Sequence, residues 1–432
     1  RMRREGMAFT QFYSASPGCT ASRYGLLTGR SPCRSGFPWV VYPKSAKGLH
    51  PREITIAEAV KKRGYTTAMF GKWHLGDNYP YRPGDRGFET SLVHGGGVVG
   101  EAPDYWGNDY YDDTYLRNGV QEKVEGYCTD VWFREAASFL KDRENHPFFL
   151  YLPTNAPHNP FNVPARYREA YSGKEDIPGQ RAGFYGMISN IDENIGRFKD
   201  LLEEEKLLEQ TILIFLTDNG TAGGYSGSEG FNAGMRARKG SAFEGGHRAA
   251  CFISWPQGGI QANRDLDVLT AHFDLMPTLA GLCSLDIPEG HAFDGMDLSP
   301  YLRDTETGEM PERTLFVHHQ GRVEHAGGDV LPGVDDRHHA GAAADVAAHR
   351  RLAVTARAIG EELPVHMHAV EGVGRGAQAD AVNVRELHIA RVEGHFGGLE
   401  RELLRRFLGE AVKLREASAD HCNSSHTHPL AS

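Results

Sequence analysis

Cys19 opens the segment Cys19-Thr20-Ala21-Ser22-Arg23-Tyr24-Gly25-Leu26-Leu27-Thr28-Gly29-Arg30, which sets a thiol and a guanidinium four residues apart. Ser16-Pro17-Gly18 makes a turn before it and Gly29 can take a left-handed C-cap after it. The spacing therefore predicts a short helix with Leu26 and Leu27 on its buried face. At the start of that helix the free amides and the dipole favour an anion at Cys19. Arg23 projects from the same face one turn on and can support an anionic or oxygen-rich group there. A small buried cysteine at a helix start would satisfy the same pattern without chemistry.

Four further segments carry groups of the same kind. In Gly71-Lys72-Trp73-His74-Leu75-Gly76, after an apolar strand at 66–70, Lys72 and His74 alternate to one side if the strand continues, bringing a cation and a titratable base to one site. In Thr154-Asn155-Ala156-Pro157-His158-Asn159-Pro160, after the strand at 148–152, two prolines restrict the backbone around His158, which suits a positioned proton donor. The run 211–217 is continuously apolar, reads as a central buried strand, and ends in Asp218-Asn219-Gly220. An acid and an amide there are hard oxygen ligands for a divalent cation, calcium foremost, although an Asp-Asn-Gly turn needs no metal. Finally, Arg238-Lys239-Gly240-Ser241-Ala242-Phe243-Glu244-Gly245-Gly246-His247-Arg248 combines cations with glycines that allow close backbone approach, or is a basic surface loop. Gly223 to Gly230 reads as a loop over the same site.

Together these five segments resemble the type I, formylglycine-dependent sulfatases, arylsulfatase-like members of the alkaline-phosphatase-like superfamily. The match spans roughly residues 8–320. The family core is usually Cys-x-Pro-Ser-Arg, and this chain has Ala21 where proline is commonest, a version that some maturation systems accept. The resemblance implies that Cys19 is oxidised to formylglycine by a maturation enzyme. Its hydrate would present two hydroxyls, one attacking sulfur in line with the ester oxygen. Arg23, Lys72, Lys239 and a calcium ion (magnesium as the alternative) would offset the charge on the sulfuryl oxygens, with Lys239 on a sulfate oxygen. Asp218, Asn219 and the group at Cys19 would hold the metal. Asp218 would take the attacking proton or orient the hydroxyl, His158 or Lys239 would protonate the leaving alcohol, and His74 would deprotonate the remaining hydroxyl and expel sulfate.

Two departures from the family bear on activity. Family members begin with a buried strand ending in an Asp-Asp pair that supplies two metal ligands, and no Asp precedes Cys19 here. The chain opens at Arg1-Met2-Arg3-Arg4-Glu5-Gly6-Met7, which reads as the end of a helix feeding a strand at 8–13, so the expectation is a start truncated before the N-terminal strand and a metal site left weak with Asp218 and Asn219, which makes an inactive polypeptide one of the outcomes. After about His325 the composition changes: no Trp follows Trp255, no Tyr follows Tyr301, and Lys413 is the lone lysine after Lys239. The expectation is a catalytic domain at 1–325 and an atypical tail at 326–432 in place of the small C-terminal domain. That tail resembles out-of-frame translation of a GC-rich gene or a poorly ordered segment, with one helical stretch at 399–417. Histidines 338, 339, 366 and 368 lack the spacing of a structural zinc site.

These residues must be positioned by helices and strands that alternate along the chain. The order is helix 54–63, strand 66–70, helix 129–142, strand 148–152, helix 181–206, strand 211–217 and helix 268–283. It predicts an α/β fold with helices flanking a large mixed, mostly parallel sheet, the alkaline-phosphatase-like architecture. Between the first two units, Asp104-Tyr105-Trp106-Gly107-Asn108-Asp109-Tyr110-Tyr111-Asp112-Asp113 offers aromatic faces and carboxylates to a sugar or aryl group, or forms a hairpin closed at Asn118-Gly119. The 432 residues carry a net charge of −10 without a basic stripe or a long apolar run, which argues against nucleic acid and a membrane span. Six cysteines contain no CxxC pair, so no disulfide is assigned. The resemblance implies an exported protein, periplasmic or secreted, with no signal peptide in this chain. Three functions follow: hydrolysis of an aryl or carbohydrate sulfate ester, a phosphatase or phosphodiesterase of the same superfamily, or an inactive carbohydrate-binding remnant.

Overall fold

The structure is a computed structural model, which describes residues 1–34, 40–42, 45–174, 177, 179–223, 230–303, 311–318 and 353–357. The chain divides into two compact units, Arg1–Glu362 and Leu363–Ser432, and the second lies outside the described residues, as does the helical stretch expected at 399–417. The central residues of the loop read at 223–230 also lie outside them.

Strands β1 (Met7–Phe9) and β2 (Phe12–Tyr13) open the fold, with β3 (Thr66–Lys72), β4 (Thr90–His94), β5 (Thr114–Arg117), β6 (Val120–Lys123) and β7 (Phe148–Tyr151) following. After them come β8 (Leu213–Leu216), β9 (Cys251–Ser254), β10 (Arg264–Leu266), β11 (Thr270–Ala271), β12 (Thr314–His318) and β13 (Ala353–Arg357). One sheet has the order β6-β5-β4-β3-β7 and another β10-β1-β9-β8, while β11-β2 and β12-β13 form two-stranded pairs. The ladders are mixed: β3 runs parallel to β4 and β7, and β1 parallel to β10, but β9 is antiparallel to both β1 and β8. The strand expected at 8–13 is thus two strands in different ladders. Between them the Arg248 guanidinium donates to the Thr10 carbonyl at 2.6 Å, taking an acceptor that a continuous ladder would have used.

Among the helices, α1 is Met2–Glu5, α2 is Cys19–Thr28, α3 is Ile56–Lys62 and α4 is Cys128–Asp142. They are followed by α5 (Ala165–Glu169), α6 (Gly179–Glu204), α7 (Glu244–His247), α8 (Leu275–Cys283) and α9 (Ser299–Leu302). Helix α3 starts where the sequence signals it, because Thr55 and Glu58 exchange a capping box: the Glu58 amide donates to Thr55 Oγ1 at 3.1 Å and the Thr55 amide to Glu58 Oε2 at 2.8 Å. Helix α4 presents Cys128, Val131, Trp132, Ala136 and Leu140 to the core at helical spacing. Burial of the Val131 and Leu140 side chains is worth roughly 1.5–3 kcal/mol each. The helix expected at 268–283 begins seven residues late. Thr270 and Ala271 pair with β2, and buried Asp274 accepts the Ala271 amide at 2.6 Å and holds Arg313, which fixes a tight turn before the helix starts.

Strand β8 departs from expectation in a way that shapes the site. Its run of Leu, Ile and Phe predicts a central buried strand, yet it lies at a sheet edge and every residue is half-buried. Strand β7 is likewise an edge and half-buried. Both line one cavity of about 1270 Å³, together with the apolar face of α6 at Phe184, Ile188, Ile191 and Ile195. The lining of that cavity also includes Arg23, Lys72, His158, Asp218, Asn219 and Lys239.

Candidate active site

Helix α2 is built as the sequence predicts. Gly18 is its N-cap, all ten helical residues are buried, and Gly29 adopts φ 67° with its amide bonded to the Gly25 carbonyl at 3.0 Å. Two serines brace the turn ahead of it, since Ser14 and Ser22 hydroxyls both donate to the Ser16 carbonyl, at 2.7 and 2.6 Å. Cys19 is therefore held at the helix start in a single buried position, 5% exposed.

His74 faces it. The Cys19 Sγ lies 3.3 Å from His74 Nδ1, and His74 Nε2 lies 3.0 Å from the Val41 carbonyl oxygen. A carbonyl can only accept, so Nε2 carries a proton and Nδ1 is the ring nitrogen turned toward position 19. His74 reaches this place through a left-handed backbone, φ 58°, directly after β3 ends. Lys72 is the last residue of that strand, buried at 2% exposure, and its amide donates to the Pro153 carbonyl at 2.7 Å. Gly71, at φ 125°, allows that approach, because a Cβ there would collide with the same carbonyl.

Arg23 ties the two sheets together. One guanidinium nitrogen donates to the Lys72 carbonyl at 2.7 Å and another to Asp218 Oδ2 at 3.1 Å. Half-buried Tyr151 bonds the same guanidinium. Asn219 Nδ2 donates to the other Asp218 oxygen at 2.6 Å. Backbone bonds pin the start of the Lys239 segment: the Lys239 amide donates to the Thr221 carbonyl at 3.0 Å and the Gly240 amide to the Pro17 carbonyl at 3.1 Å, which joins it to the turn before Cys19. His158 sits between two cis X-Pro bonds, at Ala156-Pro157 and Asn159-Pro160. Tyr110 Oη donates to the His158 and Asn159 carbonyls, shared at 3.1 Å each, and Trp132 Nε1 donates to Asn155 Oδ1 at 2.9 Å, so the loop is fixed from α4.

The electrostatics are those of an anion site. Burial pushes the Cys19 thiol up, but Lys72, His74 and Lys239 outweigh it and hold the thiol well below its usual range. Burial brings Lys72 down to about 8, with Arg23 and Lys239 adding to the effect and Cys19 and Asp218 opposing it. For Asp218 burial acts upward, yet Arg23, Lys239 and Lys72 keep the carboxyl well below the ordinary carboxylate range. His158 is brought down to about 4 by burial and then by Lys72 and Lys239. Its Nδ1 also donates to the Asn159 carbonyl at 3.0 Å, so at neutral pH the ring is uncharged with Nε2 bare. Three cations thus converge with one carboxylate and one acidified thiol. An oxyanion group entering there meets excess positive charge.

Asp218 and Asn219 supply hard oxygens, well short of the roughly six to eight that calcium takes. One Asp218 oxygen is engaged by Arg23, and among the described residues no group of three His, Cys, Asp or Glu side chains converges. These residues alone do not make a calcium site. Position 19 does fit an oxidised, hydrated side chain: it is buried, faces a basic ring nitrogen, and lies in the field of the three cations.

The sulfatase family model matches residues 1–285. The chain belongs to the sulfatase family. It is 32% identical over 339 residues to human N-acetylgalactosamine-6-sulfatase, covering 74% of this chain and 62% of that protein. With human arylsulfatase A it shares 33% identity over 336 residues, covering 72% of this chain and 63% of the relative. The chain therefore spans under two thirds of the length of these relatives. The crystal structure of Ps i-CgsB in complex with k-i-k-neocarrahexaose superposes with a TM-score of 0.67 at 25% identity, over 74% of this chain and 73% of that one. The fold is the α/β, alkaline-phosphatase-like architecture that the resemblance implied.

All five sulfatase segments meet in one place, from Cys19 through Lys239. Sequence reasoning missed Val41, which fixes the His74 proton, and Tyr151, which backs Arg23. It also missed His272, whose Nε2 lies 3.0 Å from the Thr217 carbonyl just before Asp218. None of these three stands in a motif with a chemical signature. In the aromatic segment, Asp104 accepts the Gly95 and Gly100 amides and Asp113 the Asp109 and Tyr110 amides, so these carboxylates hold backbone. Trp106 is 95% exposed, and of the two readings of this stretch the hairpin closed at Asn118-Gly119 forms, between β5 and β6.

Proposed function

We propose that this chain hydrolyses sulfate esters, with formylglycine made from Cys19 by a maturation enzyme. The observation that carries the reading is the Cys19–His74 contact inside the field of Arg23, Lys72 and Lys239. Formylglycine at position 19 would supply the hydroxyl nucleophile toward sulfur. Arg23, fixed at both ends, and Lys72 at the end of β3 bind and orient the sulfuryl oxygens, and Lys239 adds a third positive charge. Asp218, kept ionised by the three cations, accepts a proton or a hydrogen bond from the attacking group. His74 Nδ1, its partner Nε2–H held by Val41, accepts the proton whose loss releases sulfate.

The leaving alcohol needs a donor, and the two residues expected for it differ. His158 is uncharged at neutral pH with its single N–H given to Asn159, so Lys239 is the donor we favour. A bound sulfate ester would draw His158 back toward protonation. Calcium, or magnesium, would take Asp218 and Asn219 and require further oxygen donors; no step above depends on it. The substrate class is an aryl or carbohydrate sulfate. A relative named for N-acetylgalactosamine-6-sulfate and a similar structure that holds a neocarrahexaose favour the carbohydrate. A periplasmic or secreted location goes with the same reading.

The test is hydrolysis by the matured protein of an aryl sulfate, N-acetylgalactosamine-6-sulfate and an aryl phosphate in parallel. Sulfate release from either ester, lost in His74→Ala, is expected. Phosphate release alone would overturn the reading in favour of a phosphatase, and glycan binding with no release in favour of a non-catalytic remnant.

A further inference from the structure

We propose that the Gly95-Gly96-Gly97 turn is a positioning device for His74, and that Gly97 is the residue that sets where the imidazole sits. The inference rests on His74 as the base for the group at position 19, and the turn belongs to none of the motifs that build the site. It follows β4, a different strand from the one that delivers His74. Each of its three amides is taken by a carboxylate: Gly95 N–H by Asp104 Oδ1 at 3.0 Å, Gly96 N–H by Asp77 Oδ1 at 3.0 Å, and Gly97 N–H by Glu101 Oε2 at 2.9 Å. Charge-assisted bonds of this kind are about twice as strong as neutral ones, so the turn is a rigid plate.

His74 rests on that plate. A Cβ on Gly97 would lie 2.5 Å from both Cε1 and Nε2 of the imidazole and 3.0 Å from Nδ1. Carbon contacts settle near 3.5–4.0 Å, so alanine there would displace the ring by about 1 Å. The ring has no neutral direction to move. Its Nε2 is bonded to Val41 and its Nδ1 faces Cys19, and both contacts lie at hydrogen-bond reach. Gly97 therefore acts through His74, by presenting bare backbone where any side chain would break one of those two contacts.

The test uses the unmodified protein and needs no turnover. The rate at which iodoacetamide alkylates Cys19, read by peptide mass at one fixed pH, reports the Cys19–His74 contact in wild type, His74→Ala, Gly97→Ala and the double variant. His74→Ala should change the rate by about tenfold. Gly97→Ala should change it in the same direction by about threefold or more, and the double variant should match His74→Ala within about twofold, as expected when two changes act through one contact. A wild-type rate in folded Gly97→Ala would overturn the proposal, and so would effects that multiply. If Gly97→Ala lacks a cooperative unfolding transition, Glu101→Ala, which frees the turn with the glycine intact, is held to the same two criteria. In matured protein Gly97→Ala should lower kcat and leave KM within about twofold. Because alkylation is independent of ester hydrolysis, failure of the sulfatase reading would show as absent turnover in wild type while the alkylation pattern still held.

Discussion

Lys72→Met should make the protein more stable and less able to hold an anion. Lys72 is buried, and burial with two neighbouring cations moves its ammonium from the ordinary 10.5 to about 8. At about 1.4 kcal/mol per pH unit, holding that charge in the folded chain at neutral pH costs about 3 kcal/mol. Methionine keeps the length and the buried stem without the charge. Screening within the site lowers the gain, so about 1–3 kcal/mol is the expected stabilisation. The pH dependence has a definite sign. From about 8 up to 10.5 the unfolded chain binds a proton at Lys72 that the folded chain has released, so wild-type stability rises through that window. The gap between Lys72→Met and wild type should be full at about pH 7 and closed near pH 10.5. Urea midpoints by tryptophan fluorescence at several pH values measure it, with added sulfate as a second arm. Sulfate at about a hundred times its Kd should add about 2.7 kcal/mol to wild type and far less to the variant. A Lys72→Met protein less stable than wild type at neutral pH, or a gap constant through pH 10.5, would refute the assignment of a buried, strained cation.

Two other substitutions probe the frame around the site. Arg23→Met removes both bonds that join the Lys72 carbonyl to Asp218, and leaving those acceptors unpaired should cost about 2–4 kcal/mol in the urea midpoint; an unchanged midpoint would mean that water replaces the guanidinium freely. Gly220→Ala sets a Cβ into the Gly245 carbonyl, where the Asp218 loop meets α7. It should cost about 1–3 kcal/mol and lower turnover by displacing Asp218, and a variant with wild-type stability and rate would show that the two loops separate easily.

The site was legible because its groups travel in short contiguous motifs. Gly18 and Gly29 bracket α2, so the position of Cys19 relative to Arg23 could be read from helical spacing alone. The partners that finish each group were not legible. Val41, Tyr151 and Gly97 are chemically ordinary residues brought in from other elements, and the distance in sequence erases any local signal. The strand at 213–216 shows a different limit. Its composition reported apolar surroundings correctly, but a half-buried edge facing an apolar cavity and a strand buried between two neighbours demand the same residues. For the helix at 275–283, the apolar period ran back through β11, and only the Asp274 contacts with Ala271 and Arg313 say where the helix begins.

The most direct measurement pairs the peptide mass across Cys19 with sulfate release in the same sample, after co-expression with a maturation enzyme. Turnover should rise in proportion to the fraction of position 19 converted to formylglycine and vanish in Cys19→Ala. Sulfate release from protein whose Cys19 is wholly unmodified, or from Cys19→Ala, would contradict the account.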